Sequence, residues 1–217
     1  MERSLELIEA IESCRNARVQ ELLIDQPTLV ETRTQNGISI LMLAVYHRNI
    51  ELIKLLLRGR KQLNIHEASA LNETGLLDEL LDCEPKAVNS FSPDGFTPLG
   101  LACFFDCFDT AKLLIENGAN INMASQNDFK VAPIHSAVAS QNCEVTQLLI
   151  LHKANVNVKQ MNGVTPLHSA AHSGNRKIVD MLLQAGAEKY ATMEDGRTPL
   201  DMAKEKQFHH LLSDILA

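Results

Sequence analysis

A short motif returns along this chain at a fixed interval, and that recurrence limits the fold more than any other feature. A chain that repeats itself every roughly 20–50 residues stacks like units on like units, because one unit alone cannot bury its apolar face. Gly95-Phe96-Thr97-Pro98-Leu99 is echoed by Gly163-Val164-Thr165-Pro166-Leu167-His168 and by Gly196-Arg197-Thr198-Pro199-Leu200. A degenerate copy, Ala132-Pro133-Ile134-His135, lies between the first two. The prolines at 133, 166 and 199 stand 33 residues apart, whereas Pro98 to Pro133 is 35, which places a small insertion near residues 127–131. Behind the copies come leucine-rich runs: Leu113-Leu114 before Gly118-Ala119, Leu182-Leu183 before Gly186-Ala187, and Leu149-Ile150 before Lys153-Ala154, where the Gly is lost.

Two weaker units precede these. Gly37-Ile38-Ser39-Ile40-Leu41 lacks the Thr-Pro, and Leu63-Asn64-Ile65-His66 sets His66 where His168 falls, with helices expected over 67–72 and 75–83. The space between Leu57 and His66 is about a dozen residues shorter than elsewhere, so the hairpin there is expected to shrink to a tight link. Residues 5–24 hold two helices only. The expectation is one all-α domain over 1–217, a solenoid of about seven stacked helix-turn-helix units joined by short β-hairpin loops. The units run 1–34, 35–62, 63–93, 94–127, 128–160, 161–193 and 194–217, the outer two acting as caps.

Local chemistry agrees with that architecture. Pro98, Pro166 and Pro199 sit at a first helical turn, where a missing N–H is harmless. Thr97, Thr165 and Thr198 stand where an N-cap oxygen is wanted. Ile178, Val179, Leu182 and Leu183 form an apolar stripe at helical spacing. Gly118 and Gly186 suit the left-handed position that ends a helix. Asn36-Gly37, Asp94-Gly95, Asn162-Gly163 and Asp195-Gly196 read as turn tips.

The 33-residue period, the Thr-Pro-Leu-His run and the Gly-Ala that follows at fixed offset together resemble the ankyrin-repeat family, over essentially the whole chain. The resemblance implies a non-catalytic protein-interaction module, a scaffold or inhibitor, that binds a partner on its concave side. It also implies that His66, His135 and His168 are structural, their rings tying turns together through backbone and the neighbouring Thr.

Several His and Cys side chains offer a second, chemical reading. His168 and His172 are four apart on a helix, a metal-ligand spacing, but no Glu follows in a His-Glu-x-x-His arrangement. Cys103 and Cys107 lack the two-residue spacing of redox or zinc pairs. Cys103 is expected to be small and buried, and Cys83 and Cys143 incidental. A small metal- or thiol-dependent enzyme using His168, His172 or Cys103 is the competing reading; no cofactor is expected. His209-His210 reads as a solvated cap. Asn122 and Asn157, at loop positions that are hydroxylated in some relatives, are read as turn residues bonding their own backbone.

Composition then becomes informative. The net charge of −7 argues against binding phosphate backbones, so no nucleic acid is expected. No apolar run of about 18 residues appears, so no membrane span is expected. The five cysteines read as reduced thiols in a cytoplasmic setting. Exposed Glu9, Glu12 and Arg15 at one end, and Lys204, Glu205, Lys206 and His209 at the other, read as finished, solvent-facing ends of a monomer.

Only 4% of residues are aromatic. Leu, Ile, Val and Ala must therefore close the layers between units. Alignment of the units places Tyr46-His47, Phe104-Phe105 and His172-Ser173 at the exposed end of successive first helices. Phe91, Phe96, Phe129 and Met161 fall on hairpins. Clustered rings on a surface mark an interface. The expected protein-binding residues are thus Tyr46, His47, Phe91, Phe96, Phe104, Phe105, Phe129, Met161 and His172. Phe108 is expected to be buried, with Tyr190 and Phe208 near the C-terminal end.

Overall fold

The computed structural model describes residues 2–60, 62–208 and 211. Among them are thirteen α-helices. The first six pairs are α1 (Glu2–Glu12) with α2 (Asn16–Asp25), α3 (Ile40–Tyr46) with α4 (Ile50–Gly59), α5 (Ile65–Ala70) with α6 (Thr74–Cys83), α7 (Pro98–Phe104) with α8 (Phe108–Glu116), α9 (Pro133–Ala139) with α10 (Cys143–Leu151), and α11 (Pro166–Ser173) with α12 (Arg176–Gln184). Helix α13 (Pro199–Glu205) follows. First helices stack on first helices: α5 on α7, α7 on α9, α9 on α11 and α11 on α13. His209, His210 and residues 212–217 lie outside the described residues, and with them the cap reading of His209-His210.

Each unit starts and stops by local chemistry. Thr97 Oγ1 accepts from Gly100 N at 3.0 Å, and Thr198 Oγ1 from Asp201 N at 3.3 Å. Such a cap stabilises a helix by about 1 kcal/mol. Thr165 departs from this pattern: its hydroxyl lies 2.8 Å from His168 Nδ1 and makes no cap bond. The residue that closes a first helix is left-handed, as at Arg48, Asn72, Asp106, Gln141 and Gly174.

The connecting tips share one closure. Thr34, Ser92, Gln160 and Met193 each donate their N–H to the carbonyl four residues on, and Gly37, Gly95, Gly163 and Gly196 donate back to those residues. The turn at each of these glycines has positive φ, which a side chain resists. The expected β-hairpins are reduced to such turns: no strand forms among the described residues, and Arg33–Ser39 is an isolated bridge. The arms supply too few residues for a ladder. The insertion expected near 127–131 enlarges one tip, where Ser125 N reaches Val131 O and Lys130 turns left-handed at φ 52°.

Asparagines lace successive loops. Asn89 Oδ1 accepts from Asn120 N (2.7 Å), Asn122 Oδ1 from Asn155 N (2.8 Å) and Asn157 Oδ1 from Glu188 N (2.7 Å). The reading of Asn122 and Asn157 as bonding their own backbone is corrected here: each reaches the next unit, and Asn120 and Asn155 make the local bonds.

Aliphatic residues fill the layers, in two bodies of core. One runs from Ile65 to Leu211, the other from Leu7 to Leu56. A small cluster of Met42, Val45, Ala70 and Leu101 bridges them. Between the two, α4 ends at Gly59 and α5 begins at Ile65, so the hairpin is indeed cut to a tight link. The tips on either side close up over the gap: a Cβ on Gly37 would stand 3.3 Å from Pro93 Cβ.

The shortened link carries a correction. Helix α5 is one residue shorter than its equivalents between its N-cap, Asn64, and its left-handed terminator, Asn72. Counted from the N-cap, the place of His168 is therefore taken by Glu67, not His66. The Glu67 side chain is fully buried and pairs at 2.5 Å with Arg60, whose side chain is 4% exposed. It also accepts from Ser39 Oγ (2.5 Å) and Asn64 N (3.0 Å). His66 still reaches the next unit, with Nε2 3.2 Å from Ser90 O.

Candidate functional site

The tips and first helices face one side of the stack and frame two adjoining depressions there. The first, about 230 Å³, lies between Tyr46, Phe96 and Phe104 at one end and Gln160 and Ser169 at the other. The second, about 460 Å³, continues from Ala139 and Ser169 to Met193, Arg197 and Met202. Ala139 and Ser169 line both, so the two form one groove.

Three positions of the repeat supply most of this lining. The residue before the capping position gives Phe96, Val131, Val164 and Arg197. The fourth residue of the first helix gives Leu101, Ser136, Ser169 and Met202. Three residues further on come Phe104, Ala139 and His172. The hollow sits where Ser136, Ala139 and Ser169 are small. Its walls are the large side chains at the same positions in neighbouring units. Substitution size at equivalent positions thus shapes the groove on a uniform backbone.

The aromatic end is held firmly. Tyr46 OH donates to Asp94 Oδ2, joining the second unit to the fourth. Burial, then the Asp94 carboxylate, push the phenol well above its ordinary range, so it stays a neutral donor. Phe105 meets Tyr46 at 5.6 Å between centroids and Phe104 edge-on at 5.1 Å.

The expected binding residues divide accordingly. Tyr46, Phe96, Phe104 and His172 line the groove. Phe105 does not: it is half-buried against the core and braces Phe104 from behind. Phe91 is half-buried and lies outside the lining, and His47 is exposed outside it. Phe129 and Met161 are exposed on neighbouring tips, joined by Met161 N donating to Phe129 O at 2.9 Å, while Val131 and Gln160 from those tips line the groove. Phe108 is half-buried rather than buried, and Tyr190 is exposed. The lining from the fourth helical residue was missed, although the 33-residue spacing of Ser136, Ser169 and Met202 carries it in the sequence.

Of the groups in the catalytic reading, His168 and Cys103 are occupied or suppressed, and His172 is exposed at the groove. His168 Nδ1 takes the Thr165 N–H at 3.2 Å and its Nε2–H meets Arg197 O at 3.2 Å. His135 is held alike by Ala132 N and Val164 O. Neither ring has a free lone pair for a metal. Burial lowers the basicity of His66, His135 and His168, taking His135 to about 4. The Cys103 thiol is fully buried, and burial raises its pKa far above the ordinary thiol range, opposing the nucleophilic thiolate. Cys107 is pushed up to about 11, chiefly by burial. All five cysteines are free thiols. No helix among the described residues is long and apolar enough to cross a membrane.

Comparisons with known proteins agree with this geometry. The family model described as "Ankyrin repeats (3 copies)" matches residues 7–125, 65–160 and 134–213. Ankyrin repeat protein L371 of Acanthamoeba polyphaga mimivirus is 25% identical over 70% of this chain, which spans 16% of that protein. A Saccharomyces cerevisiae protein named as the 26S proteasome regulatory subunit p28 is 28% identical over 68% of this chain and 70% of its own length. Human Rabankyrin-5 is 40% identical over 33% of this chain and 6% of its own. The chain thus spans only a small part of two of these three relatives.

Proposed function

The chain belongs to the ankyrin-repeat family, whose repeats are generally protein-interaction modules, and on that premise we propose that it is a non-catalytic module that holds an apolar element of a protein partner in its inner groove. The observation that supports this most is the continuous apolar hollow over Ser136, Ala139 and Ser169, walled by Phe96, Phe104 and Tyr46 on one side and Met193 and Met202 on the other. Such a hollow accepts a large apolar side chain, and buried anchors of that kind dominate interface energetics. Of the three relatives named above, the one covered over 70% of its own length is named as a regulatory subunit of a larger protein assembly, which fits a scaffold or regulator. The acidic balance and the free thiols favour a monomer in a reducing, cytoplasmic compartment that takes protein and not nucleic acid.

Filling the groove separates binding from folding. Ala139 is exposed and helical, so Ala139→Trp should keep helical content and melting temperature while occupying the hollow. Proteins captured by the wild type and identified by mass spectrometry should be lost by Ala139→Trp and by Phe104→Ala. If both folded variants retain the same proteins, the groove is not the binding site. A Phe105→Ala variant is expected to lose stability instead, because that ring braces the layer.

A further inference from the structure

The missing hairpin has a consequence on the opposite side of the stack. Second helices of successive units elsewhere pack together: α2 on α4, α6 on α8, α8 on α10 and α10 on α12. At the shortened link the inner tips close up, and the contact of α4 with α6 is sparser than any of these. The wedge between them is a groove of about 580 Å³. Its apolar lining comes from Leu57, Leu63, Leu76 and Leu80, all half-buried. Leu57 and Leu63 edge one core and Leu76 and Leu80 edge the other, so neither core covers the other's margin here.

The segment that forms one wall of this groove is acidic. Residues 62–85 contain six acids and no Lys or Arg. Glu73 and Glu79 line the groove and are exposed, with no hydrogen bond or ion pair to either carboxylate among the described residues. Among the described residues the one cation in the lining is Arg60, committed to Glu67 at 2.5 Å and Glu31 at 3.4 Å. Arg58 lines a different depression, between α2 and α4.

We propose that this outer groove is a second docking surface, separate from the inner one, and that it takes a Lys/Arg-bearing amphipathic segment of a protein partner. Apolar side chains of that segment fill the space between the four leucines, and its cations lie against Glu73 and Glu79. Apolar contact supplies affinity, and the uncompensated acids select the sign of the partner and speed its approach.

The test uses the full chain and a fluorescein-labelled helix-forming peptide with Leu on one face and Lys on the other, read by fluorescence anisotropy. Three comparisons accompany it: the same peptide with Glu for Lys, a scramble that mixes Leu and Lys on both faces, and protein variants. Glu73→Lys combined with Glu79→Lys should weaken binding by about tenfold or more at unchanged helical content. Glu116→Lys combined with Glu144→Lys, on the exposed surfaces of α8 and α10, should leave it unchanged, as should Ala139→Trp in the inner groove. The Glu-bearing peptide and the scramble should bind at least tenfold more weakly. Equal binding of the scramble, or equal loss in the Glu116/Glu144 variant, would reduce the effect to bulk charge attraction and overturn the proposal. Loss of binding in Ala139→Trp would assign the peptide to the inner groove and overturn it too.

Discussion

Replacing Arg60 with Met probes the seam between the second and third units. The Arg60 and Glu67 side chains are 4% and 0% exposed and meet at 2.5 Å. Without the guanidinium, the buried Glu67 carboxylate keeps only the Ser39 hydroxyl and the Asn64 amide. An uncompensated buried charge of this kind costs about 3–5 kcal/mol. Removing both charges, as Arg60→Met with Glu67→Leu, should recover most of that loss. A remainder of about 1 kcal/mol is expected, because the Asn64 N–H loses its acceptor. The pair is therefore not a large net stabiliser: Arg60 Nε is itself buried without an acceptor among the described residues. What the pair supplies is a polar joint in place of a hairpin. Urea unfolding followed by circular dichroism measures the loss. Hydrogen exchange of α3 and α5 amides locates it, since a stack of repeats can open in parts. A single Arg60→Met variant that loses less than about 1 kcal/mol, or a double variant less stable than the single one, would refute the reasoning.

Two further outcomes follow from the structure. His135 is neutral in the folded chain down to about pH 4, against an ordinary value of 6.5. Between those values the unfolded chain binds a proton that the folded chain does not, so the contribution of His135 to stability is constant above pH 6.5 and is lost as pH drops toward 4. The full effect of this one group is about 3 kcal/mol, with His66 and His168 adding in the same direction; a melting temperature that does not decline from pH 7 to 4.5 would contradict it. Asn157→Ala removes the bonds to Glu188 N (2.7 Å) and Gly186 O (3.0 Å), so a loss of about 1–2 kcal/mol is expected, with faster exchange of the Glu188 amide. Unchanged exchange at Glu188 would show that the loop lacing does not hold the units together.

Much of this protein was legible in its residues because a repeat states the same local problem several times. Thr-Pro marks a helix start whether it occurs at 97, 165 or 198, and Gly after Asn or Asp marks a turn wherever it stands. The period alone therefore determined a stack of helix pairs with an aliphatic interior, and the truncated link between the second and third units. It also placed Tyr46, Phe96, Phe104 and His172 on one face, since residues one period apart share a face of the stack.

Only the tertiary structure decided what period counting cannot carry. A single missing residue in α5 moved Glu67 into the place expected of His66, and a carboxylate there recruited Arg60 as a buried partner. Whether a ring at the end of a first helix opens to the groove or closes on the core depends on the unit beside it: Phe104 is 37% exposed and Phe105 braces it against the core. The inner hollow and the outer wedge are both spaces between units. Their size depends on which side chains meet across an interface and on how far two helices are held apart. Local sequence preference acts within a unit, and these spaces are set by packing between units that are distant in sequence.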